Sequence, residues 1–484
     1  MLSGSNKTFV PFRLEALTPV HIGSGEDFSP LGYVIRQKNE TGYEAWLIDT
    51  AAWLAANMEN PEIAKALEAG DMLALRRLLN LGNPGAFVLG KIGVDNSGLG
   101  KELLRKRNSL ENSAEIMSFT RNPFTHTPFV PASSIKGAIT TALADFLNER
   151  RKARKEPSLR EAAPKEYRKI MEEMFGNIQR HAMRGLGLAD IALPAGATSI
   201  RAATGVGLAP ENTMPKTPCE TLDPPQPELP GAFGNLRFKA ADGLLVFPDG
   251  ARVSLKKLGE ICTDFYRKRY KAEFEKFYKR PHLAATGKAL EDVTRRIENC
   301  DGEREILLRI GRYSHIECVT VSGEPPRMPK GCGKTRTLAN MELPFGWVIL
   351  SFCSMDDYNR GLQELDISWK RELQEQAELE ERRQKRLREE EERKRVEEEE
   401  ARKRELALAA MSPEERSIWE LGQATATENQ ASAVYGALSG YGEMKMKAAQ
   451  ALMEFWKRID KWEGRQLSKK QKEKVAAVKK ILGI

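Results

Sequence analysis

The sequence predicts an α+β protein in which two mixed modules in tandem precede a charged helical spacer and a small C-terminal helical domain. Strand-like and helix-like segments intermix twice before residue 357. Residues 370–405 are almost entirely charged, and the residues after 411 show helical spacing with capping signals. The divisions that these patterns predict are residues 1–225, 226–357, 358–410 and 411–484.

The composition is that of a globular chain with several domains. Its 484 residues are 41% hydrophobic and 30% charged, and the formal net charge of +8 favours a polyanionic partner. Six cysteines without a CxxC pair argue against a disulfide scaffold and a zinc site, and they fit a reducing cytoplasm. The sequence has no long apolar run and no apolar signal core at its start, so we expect neither a membrane segment nor secretion.

The periodicity of apolar residues predicts the elements of the two modules. The first is expected to contain strands at 9–17, 33–36 and 45–48, helices at 51–80 and 133–154, strands at 187–193 and 199–203, and a proline-rich loop or linker at 213–230. The second is expected to contain a strand at 243–247, a long helix at 255–277, and strands at 306–310 and 347–352.

The spacer pattern is strongest over residues 370–405. This stretch holds 13 basic and 14 acidic residues, and runs of glutamate precede basic residues by four positions. Each such pair stabilises a helix by ~0.2–0.5 kcal/mol. Apolar residues are too sparse for a coiled-coil seam, so we expect a solvated single helix, with a disordered charged linker as the alternative.

The tail carries its own helix signals. Ser412-Pro413 is a typical helix start, and Ser468 with Gln471 forms a capping-box pattern. An apolar stripe follows one helical face, and basic residues are expected on its outer surface. The stripe is Ala448, Leu452, Phe455, Ile459 and Trp462; the basic residues are Lys457, Arg458, Lys461, Lys469, Lys470, Lys472 and Lys474.

A first candidate binding motif is TPVHIGSG, residues Thr18–Gly25. Glycines after a strand allow a close backbone approach to an anion, so His21 and Ser24 are candidates for a phosphate or RNA contact, and His21 for a general base. The alternative is a glycine-rich turn in which His21 merely packs.

A second candidate is the strand-to-helix string FVPASSIKGA, residues Phe129–Ala138. Ser133 or Ser134 can cap the helix, and the free amides together with Lys136 can hold a phosphate. An ordinary capped helix is the alternative.

The late string Gly331-Cys332-Gly333-Lys334-Thr335 resembles the end of a phosphate-binding nucleotide loop. Met328 stands where that loop needs a glycine, so backbone phosphate binding by Lys334 and Arg336 fits better than nucleotide hydrolysis. The histidines show no metal spacing, and no nucleophile elbow occurs.

Three strings together resemble the RAMP superfamily of CRISPR proteins. They are TPVHIGSG, FVPASSIKGA, and LLRIGRYSHIE…GKTRTLA…PFGWV between Leu307 and Val348. Their order and the GKTR…PFGWV combination are most similar to the fifth subunit of the Csm (type III-A) effector complex. The resemblance covers residues 8–357 and leaves the spacer and tail outside.

The resemblance implies two ferredoxin-like (RRM-like) modules in a non-catalytic subunit without a cofactor. Such a subunit caps the 3′ side of the CRISPR RNA beside the last backbone RAMP subunit, contacts other Csm subunits, and helps cellular nucleases mature the guide. The residues expected to hold RNA are His21, Ser24, Ser133, Ser134, Lys136, Arg312, Lys334 and Arg336.

Two differences from the family motifs weaken the RNA binding expected at this segment. Ala132 stands where glycine usually precedes the paired serines, and Thr140-Thr141-Ala142 stands where Arg-Thr-Ala often occurs, so one phosphate-binding arginine is missing. Two other functions stay open: a metal-independent endoribonuclease that processes CRISPR RNA with His21 as base and Lys136 as partner, and a scaffold that contacts only protein through its tail helices.

Overall fold

The computed structural model describes residues 9–82, 84–108, 115–159, 164–211, 213–214, 216–321, 333–463 and 467–484. The chain divides into two compact units, Met1–Glu380 and Glu381–Ile484. The first unit combines sheets and helices, whereas the second is helical, so the expected α+β class is confirmed. None of the described helices is both long and apolar enough to span a bilayer.

The strands of the described residues all lie in the first unit. They are β1 (Phe9–Ala16), β2 (Asp27–Phe28), β3 (Tyr33–Gln37), β4 (Tyr43–Ile48), β5 (Val88–Val94), β6 (Ile116–Met117), β7 (Phe129–Val130), β8 (Leu186–Leu188), β9 (Ile191–Ala192), β10 (Thr198–Gly207), β11 (Thr217–Leu222), β12 (Ala232–Phe238), β13 (Leu245–Val246), β14 (Arg252–Val253), β15 (Glu305–Arg309), β16 (Thr335–Ala339), β17 (Leu343–Pro344) and β18 (Trp347–Phe352).

The α-helices are distributed over both units. They are α1 (Thr50–Ala56), α2 (Pro61–Glu68), α3 (Met72–Leu81), α4 (Ser97–Arg105), α5 (Ala132–Ala153), α6 (Pro164–Phe175), α7 (Leu255–Glu273), α8 (Ala284–Ala289), α9 (Glu291–Asn299), α10 (His315–Val319), α11 (Met355–Ala410), α12 (Pro413–Gly422), α13 (Glu428–Gly436), α14 (Lys445–Arg458) and α15 (Lys469–Leu482).

Two sheets organise the first unit. One is antiparallel with the order β15-β18-β1-β12-β8. The other has nine strands, with β2-β6-β11-β10-β5-β4-β3 as its main path and β16 and β17 attached through β10. Each sheet takes strands from both sides of residue 225, so the segments on either side interleave. The division into two ferredoxin-like modules therefore stays a prediction.

The antiparallel sheet and helices α5 and α7 enclose the main core. Trp347 of β18 is fully buried and meets Tyr266 and Tyr270 of α7 edge to face, with ring centroids 6.4 and 5.1 Å apart. The Tyr266 hydroxyl donates to the Ala138 carbonyl at 3.0 Å and so ties α7 to α5. Burial of each such aromatic side chain is worth ~1.5–3 kcal/mol.

The expectation of a loop throughout 213–230 is wrong, because residues 217–222 form β11. Pro218 lies opposite Ala202 of β10, and Cys219, Glu220 and Thr221 are fully buried between β10 and β6. Proline composition predicts a loop, but pairing with a long neighbouring strand outweighs that local preference.

The first residues of α11 pack on the first unit. The Tyr358 hydroxyl accepts a hydrogen bond from Asn235 at 3.1 Å, Leu365 is buried, and the Trp369 indole donates to the Leu193 carbonyl at 2.8 Å. A Cβ at Gly361 would collide with the Phe233 ring, so that position requires glycine. The start of the predicted spacer, residues 358–369, is therefore part of the folded unit and not a solvated helix.

The second unit has its own core. Helices α12 to α15 bury an apolar cluster that includes Leu452, Phe455, Trp456, Trp462 and Val478. The predicted cap at Ser412 is present as a reciprocal capping box with Glu415, and Ser468 accepts the Gln471 amide at 3.3 Å. Of the predicted stripe, Ala448, Leu452 and Phe455 are buried on α14, whereas Ile459 and Trp462 follow the end of that helix at Arg458.

Candidate nucleic-acid interface

His21 is a buried residue of the segment Thr18–Gly25, here called the glycine loop. Its side chain is 1% exposed, and its Nδ1 atom donates to the Glu220 carbonyl at 2.7 Å, which leaves Nε2 as the unprotonated nitrogen. Burial lowers the pKa of His21, so the ring is neutral near pH 7. Nε2 has no hydrogen-bond partner among the described residues, and a Cβ placed at Gly23 would lie 3.3 Å from it.

The carboxylate of Glu220 connects the segments that pack next to the glycine loop. It is fully buried and forms an ion pair with Arg121, and it also accepts hydrogen bonds from the Phe119 amide at 3.0 Å and the Thr198 hydroxyl at 2.7 Å. The contacts with Phe119 and Arg121 join segments about 100 residues apart. The sequence motif gave no indication of Glu220 or Arg121, because their pairing depends on the register of β11.

The rim of the glycine loop carries a free cation. The Arg312 amide donates to the His21 carbonyl at 2.9 Å, while the Arg312 side chain is exposed and has no ion pair or hydrogen bond within the described part of the chain. Gly311 has φ +89°, and a Cβ there would lie 2.4 Å from the His21 carbonyl oxygen. Only glycine permits this close approach, which places Arg312 next to the loop. Ser24 is exposed nearby and accepts the Glu26 amide at 3.3 Å.

A neighbouring loop displays an aromatic ring. Thr120 bonds to the Ile22 carbonyl through both its amide and its hydroxyl, which fixes this loop against the glycine loop. At its tip Phe124 is 90% exposed, while the side chain of Asn122 accepts the amides of Phe124 and Thr125. Sequence analysis missed Phe124, although a phenylalanine in an Asn-Pro-Phe turn is a usable signal for an exposed ring.

The start of α5 differs from the predicted capped helix. The helix begins at Ala132, and neither Ser133 nor Ser134 caps it; instead Asp190 accepts the Ala132 amide at 2.7 Å. A carboxylate at this end neutralises part of the positive helix terminus. The prediction that either serine caps the helix is therefore wrong, whereas the expected RNA contacts of Ser133, Ser134 and Lys136 stay a prediction.

Lys136 belongs to a small basic group that the motif did not reveal. Its ammonium group donates to the Leu186 carbonyl at 2.7 Å, and the exposed Lys239 lies on the neighbouring segment, where its amide bonds to Gly185. Burial and the charge of Lys239 lower the pKa of Lys136, and burial and the charge of Lys136 lower the pKa of His181. The described residues provide no carboxylate that pairs with either lysine.

The GKTR motif contains two cations that differ in burial. Lys334 is exposed and without a partner among the described residues, whereas Arg336 is 2% exposed. Arg336 contacts Glu273 and Glu317, each at 2.9 Å. The expectation that Arg336 contacts phosphate is therefore wrong, because its charge is already matched inside the protein. Residues Met328, Gly331 and Cys332 of the string lie outside the described residues.

The candidate residues thus occupy separate places. His21 and Ser24 belong to the glycine loop, and Arg312 bonds to it. Lys136 of α5 contacts β8, and Lys334 directly precedes β16. No contact of Lys136 joins it to His21 within the described structure. His, Cys, Asp and Glu side chains form no group able to hold a metal ion in the residues that are described.

Comparison with known proteins supports the motif assignment. Residues 13–193 match the family model of the RAMP superfamily, which confirms the resemblance over that segment. A chain of the cryo-EM structure of a Csm–crRNA–target RNA ternary complex from a type III-A CRISPR-Cas system is 18% identical, with a TM-score of 0.47, covering 71% of this chain and 100% of its own. The crystal structure of Csm5 from T. onnurineus is 16% identical, with a TM-score of 0.43, covering 69% and 99%. No curated protein sequence matches the chain significantly.

Proposed function

We propose that this chain, whose residues 13–193 match the RAMP superfamily, is a non-catalytic RNA-binding subunit of a type III-A CRISPR (Csm) effector complex. In this proposal it caps the 3′ side of the CRISPR RNA, adjoins the last backbone RAMP subunit and other Csm subunits, and aids guide maturation by host nucleases. Its first unit would correspond to two interleaved ferredoxin-like modules.

The observation that carries the proposal is that four cations at separate places on the first unit have no carboxylate partner among the described residues. Lys136, Lys239, Arg312 and Lys334 have no carboxylate partner among the described residues, although ion pairs are frequent elsewhere. RNA phosphates would supply the missing negative charge. Because a guide varies in sequence while its backbone does not, phosphate contacts suit a subunit that must accept any guide.

Phe124 adds a contact of a different kind. An exposed ring on a loop that is hydrogen-bonded to the glycine loop can stack on an unpaired base, and such stacking tolerates any base. The glycine loop would accept a phosphate next to the stacked base.

The test is RNA binding by the variant Lys136→Gln/Lys239→Gln. We expect weaker binding to unrelated single-stranded RNAs by the same factor, and a salt slope reduced by about 1.4, since each lost phosphate contact removes about 0.7 for single strands. Lys152→Gln on the same helix is the matched control, because Lys152 already pairs with Glu149 at 2.6 Å. A loss confined to one RNA sequence would contradict backbone recognition.

A second candidate is the metal-independent endoribonuclease. The observation in its favour is that His21 is neutral with an unpartnered Nε2, the state a general base requires. Against it stands the burial of His21 and the separate location of Lys136. Incubation of the chain with labelled repeat RNA in EDTA separates the two: cleavage lost in His21→Ala with binding retained would favour the enzyme, and binding without cleavage favours the proposed subunit.

A further inference from the structure

Charge is segregated between the two halves of the C-terminal helical domain. Residues 411–444, which contain α12 and α13, hold one basic and five acidic residues. Residues 445–484, which contain α14 and α15, hold twelve basic and four acidic residues. The second half therefore has a strong positive excess on only two helices.

Some of these cations stabilise the fold. Lys461 pairs with Glu428 at 2.7 Å, and Arg458 donates to the last carbonyls of α12, Leu421 and Gly422. Lys474 lies over the ring of Tyr435 and Lys479 over that of Trp462, at 5.3 and 5.5 Å from the ring centroids. The predicted basic surface thus includes residues that already have structural partners.

The remaining lysines have none. Seven are exposed and form no hydrogen bond, ion pair or ring contact with a described residue. They are Lys445, Lys447, Lys457, Lys469, Lys470, Lys472 and Lys480. Their mutual repulsion opposes folding, so the fold of the second unit does not account for their presence.

The chemistry of this surface favours nucleic acid over protein. The apolar side chains of α14 and α15 point into the core, and the large apolar residues exposed in the described part of 411–484 are only Met446 and Ile484. Protein interfaces have an apolar centre and are depleted in lysine. Phosphate-backbone interfaces instead consist of lysine and arginine with little apolar area.

We propose that the unpartnered lysines of α14 and α15 form a second RNA-binding surface that contacts the phosphate backbone without reading its sequence. This surface lies outside the RAMP-matching segment and does not depend on the function proposed for the first unit. It gives the chain two RNA contacts, one on each compact unit.

The test uses the full chain with Lys469, Lys470, Lys472 and Lys480 all replaced by glutamine, which keeps a good helix former at each position. We expect the salt slope of binding to single-stranded RNA to fall by about 2–3, from about 0.7 per lost contact. At low salt the affinity should fall at least tenfold, and circular dichroism should show unchanged helix content.

The matched control replaces four exposed lysines that already have carboxylate partners. These are Lys256, Lys279, Lys370 and Lys403, whose ion-pair distances are 2.5, 2.7, 2.6 and 2.8 Å. The control should bind RNA within about twofold of the parent chain, since a paired lysine has less charge to offer a phosphate.

The other outcomes are decisive. If the four-lysine variant binds RNA like the parent but loses adhesion to vesicles containing phosphatidylserine, or loses an acidic partner subunit from the assembled complex, the RNA assignment is overturned. Comparison with Lys136→Gln/Lys239→Gln separates the two proposals, because each variant should weaken RNA binding while the other surface remains.

Discussion

The first unit carries two groups of cations, one in its interior and one on its surface, and they differ in what neutralises them. In the interior, Arg309 and Arg336 both contact Glu273, at 2.6 and 2.9 Å, and both are at most 2% exposed. On the surface, Lys136 and Lys239 have no carboxylate partner among the described residues. The charge of the interior cations is neutralised by a carboxylate of the protein, whereas the surface cations have no such counter-charge. A cation within a recognised motif can therefore either stabilise the fold or bind a ligand.

The strongest way to break this comparison is to remove one interior cation. Arg309→Ala should destabilise the first unit by about 3–5 kcal/mol, because Glu273 is then left with less compensation in a buried site. Denaturation in urea, followed by tryptophan fluorescence, measures this. Lys334→Ala, at an exposed position with no partner among the described residues, should change stability by less than about 0.5 kcal/mol. Equal effects of the two substitutions would contradict the division.

The boundary between the units allows a second test. A chain ending at residue 356 loses Tyr358, Leu365 and Trp369, which pack on the first unit, whereas a chain ending at residue 380 keeps them. We expect the shorter chain to be less stable by at least about 3 kcal/mol, the usual cost of truncating a buried aromatic side chain. If both chains unfold at the same denaturant concentration, residues 358–369 do not belong to the folded unit.

The exposed ring of Phe124 provides a test of RNA binding by the surface of the first unit. Phe124→Ala should weaken binding to single-stranded RNA by about 1–3 kcal/mol through the lost stacking, while Phe124→Trp should restore it. Quenching of a 2-aminopurine base placed in the RNA measures the contact directly. Binding that is unchanged in Phe124→Ala would remove Phe124 from the interface.

The interior group also predicts a pH dependence. Burial, followed by the nearby charge of Arg309, lowers the pKa of His315 to about 3, below its ordinary value of 6.5. The unfolded chain therefore binds a proton that the folded chain does not, and stability falls as the pH drops from 6.5 towards 3. His315→Asn suits the positive φ of 57° but removes the acceptor of the Thr337 amide, so it should lower stability at pH 7 by about 1–3 kcal/mol and reduce the further loss below pH 6.5. An identical acid profile in both proteins would exclude His315 as the cause.

Much of the local structure follows from the sequence, because local patterns determine it. The strand at Phe9–Ala16 and helix α7 have the predicted periodicity, and the capping box at Ser412 marks the start of α12. The strand at 217–222 could not be predicted in this way, since Pro218 within it and the prolines that follow it disfavour a strand, and only pairing with β10 fixes it.

The sequence predicted the candidate residues that lie within a motif, but not the residues that contact them from elsewhere in the chain. Gly23, Ser24 and Lys136 stand in recognisable strings, but Asp190 and Lys239 reach the start of α5 and Lys136 from distant parts of the chain. Burial, likewise, cannot be predicted from a short motif. Lys334 and Arg336 are two residues apart, yet Lys334 is exposed and Arg336 is buried.

The most direct test of the central claim, that cations without a carboxylate partner bind RNA while ion-paired cations stabilise the fold, is lysine acylation with and without bound RNA, quantified by mass spectrometry. The account predicts RNA protection at Lys136, Lys239, Lys334, Lys469, Lys470, Lys472 and Lys480, and unchanged modification at the ion-paired Lys403 and Lys461. Protection spread equally over paired and unpaired lysines, or confined to the paired ones, would contradict it.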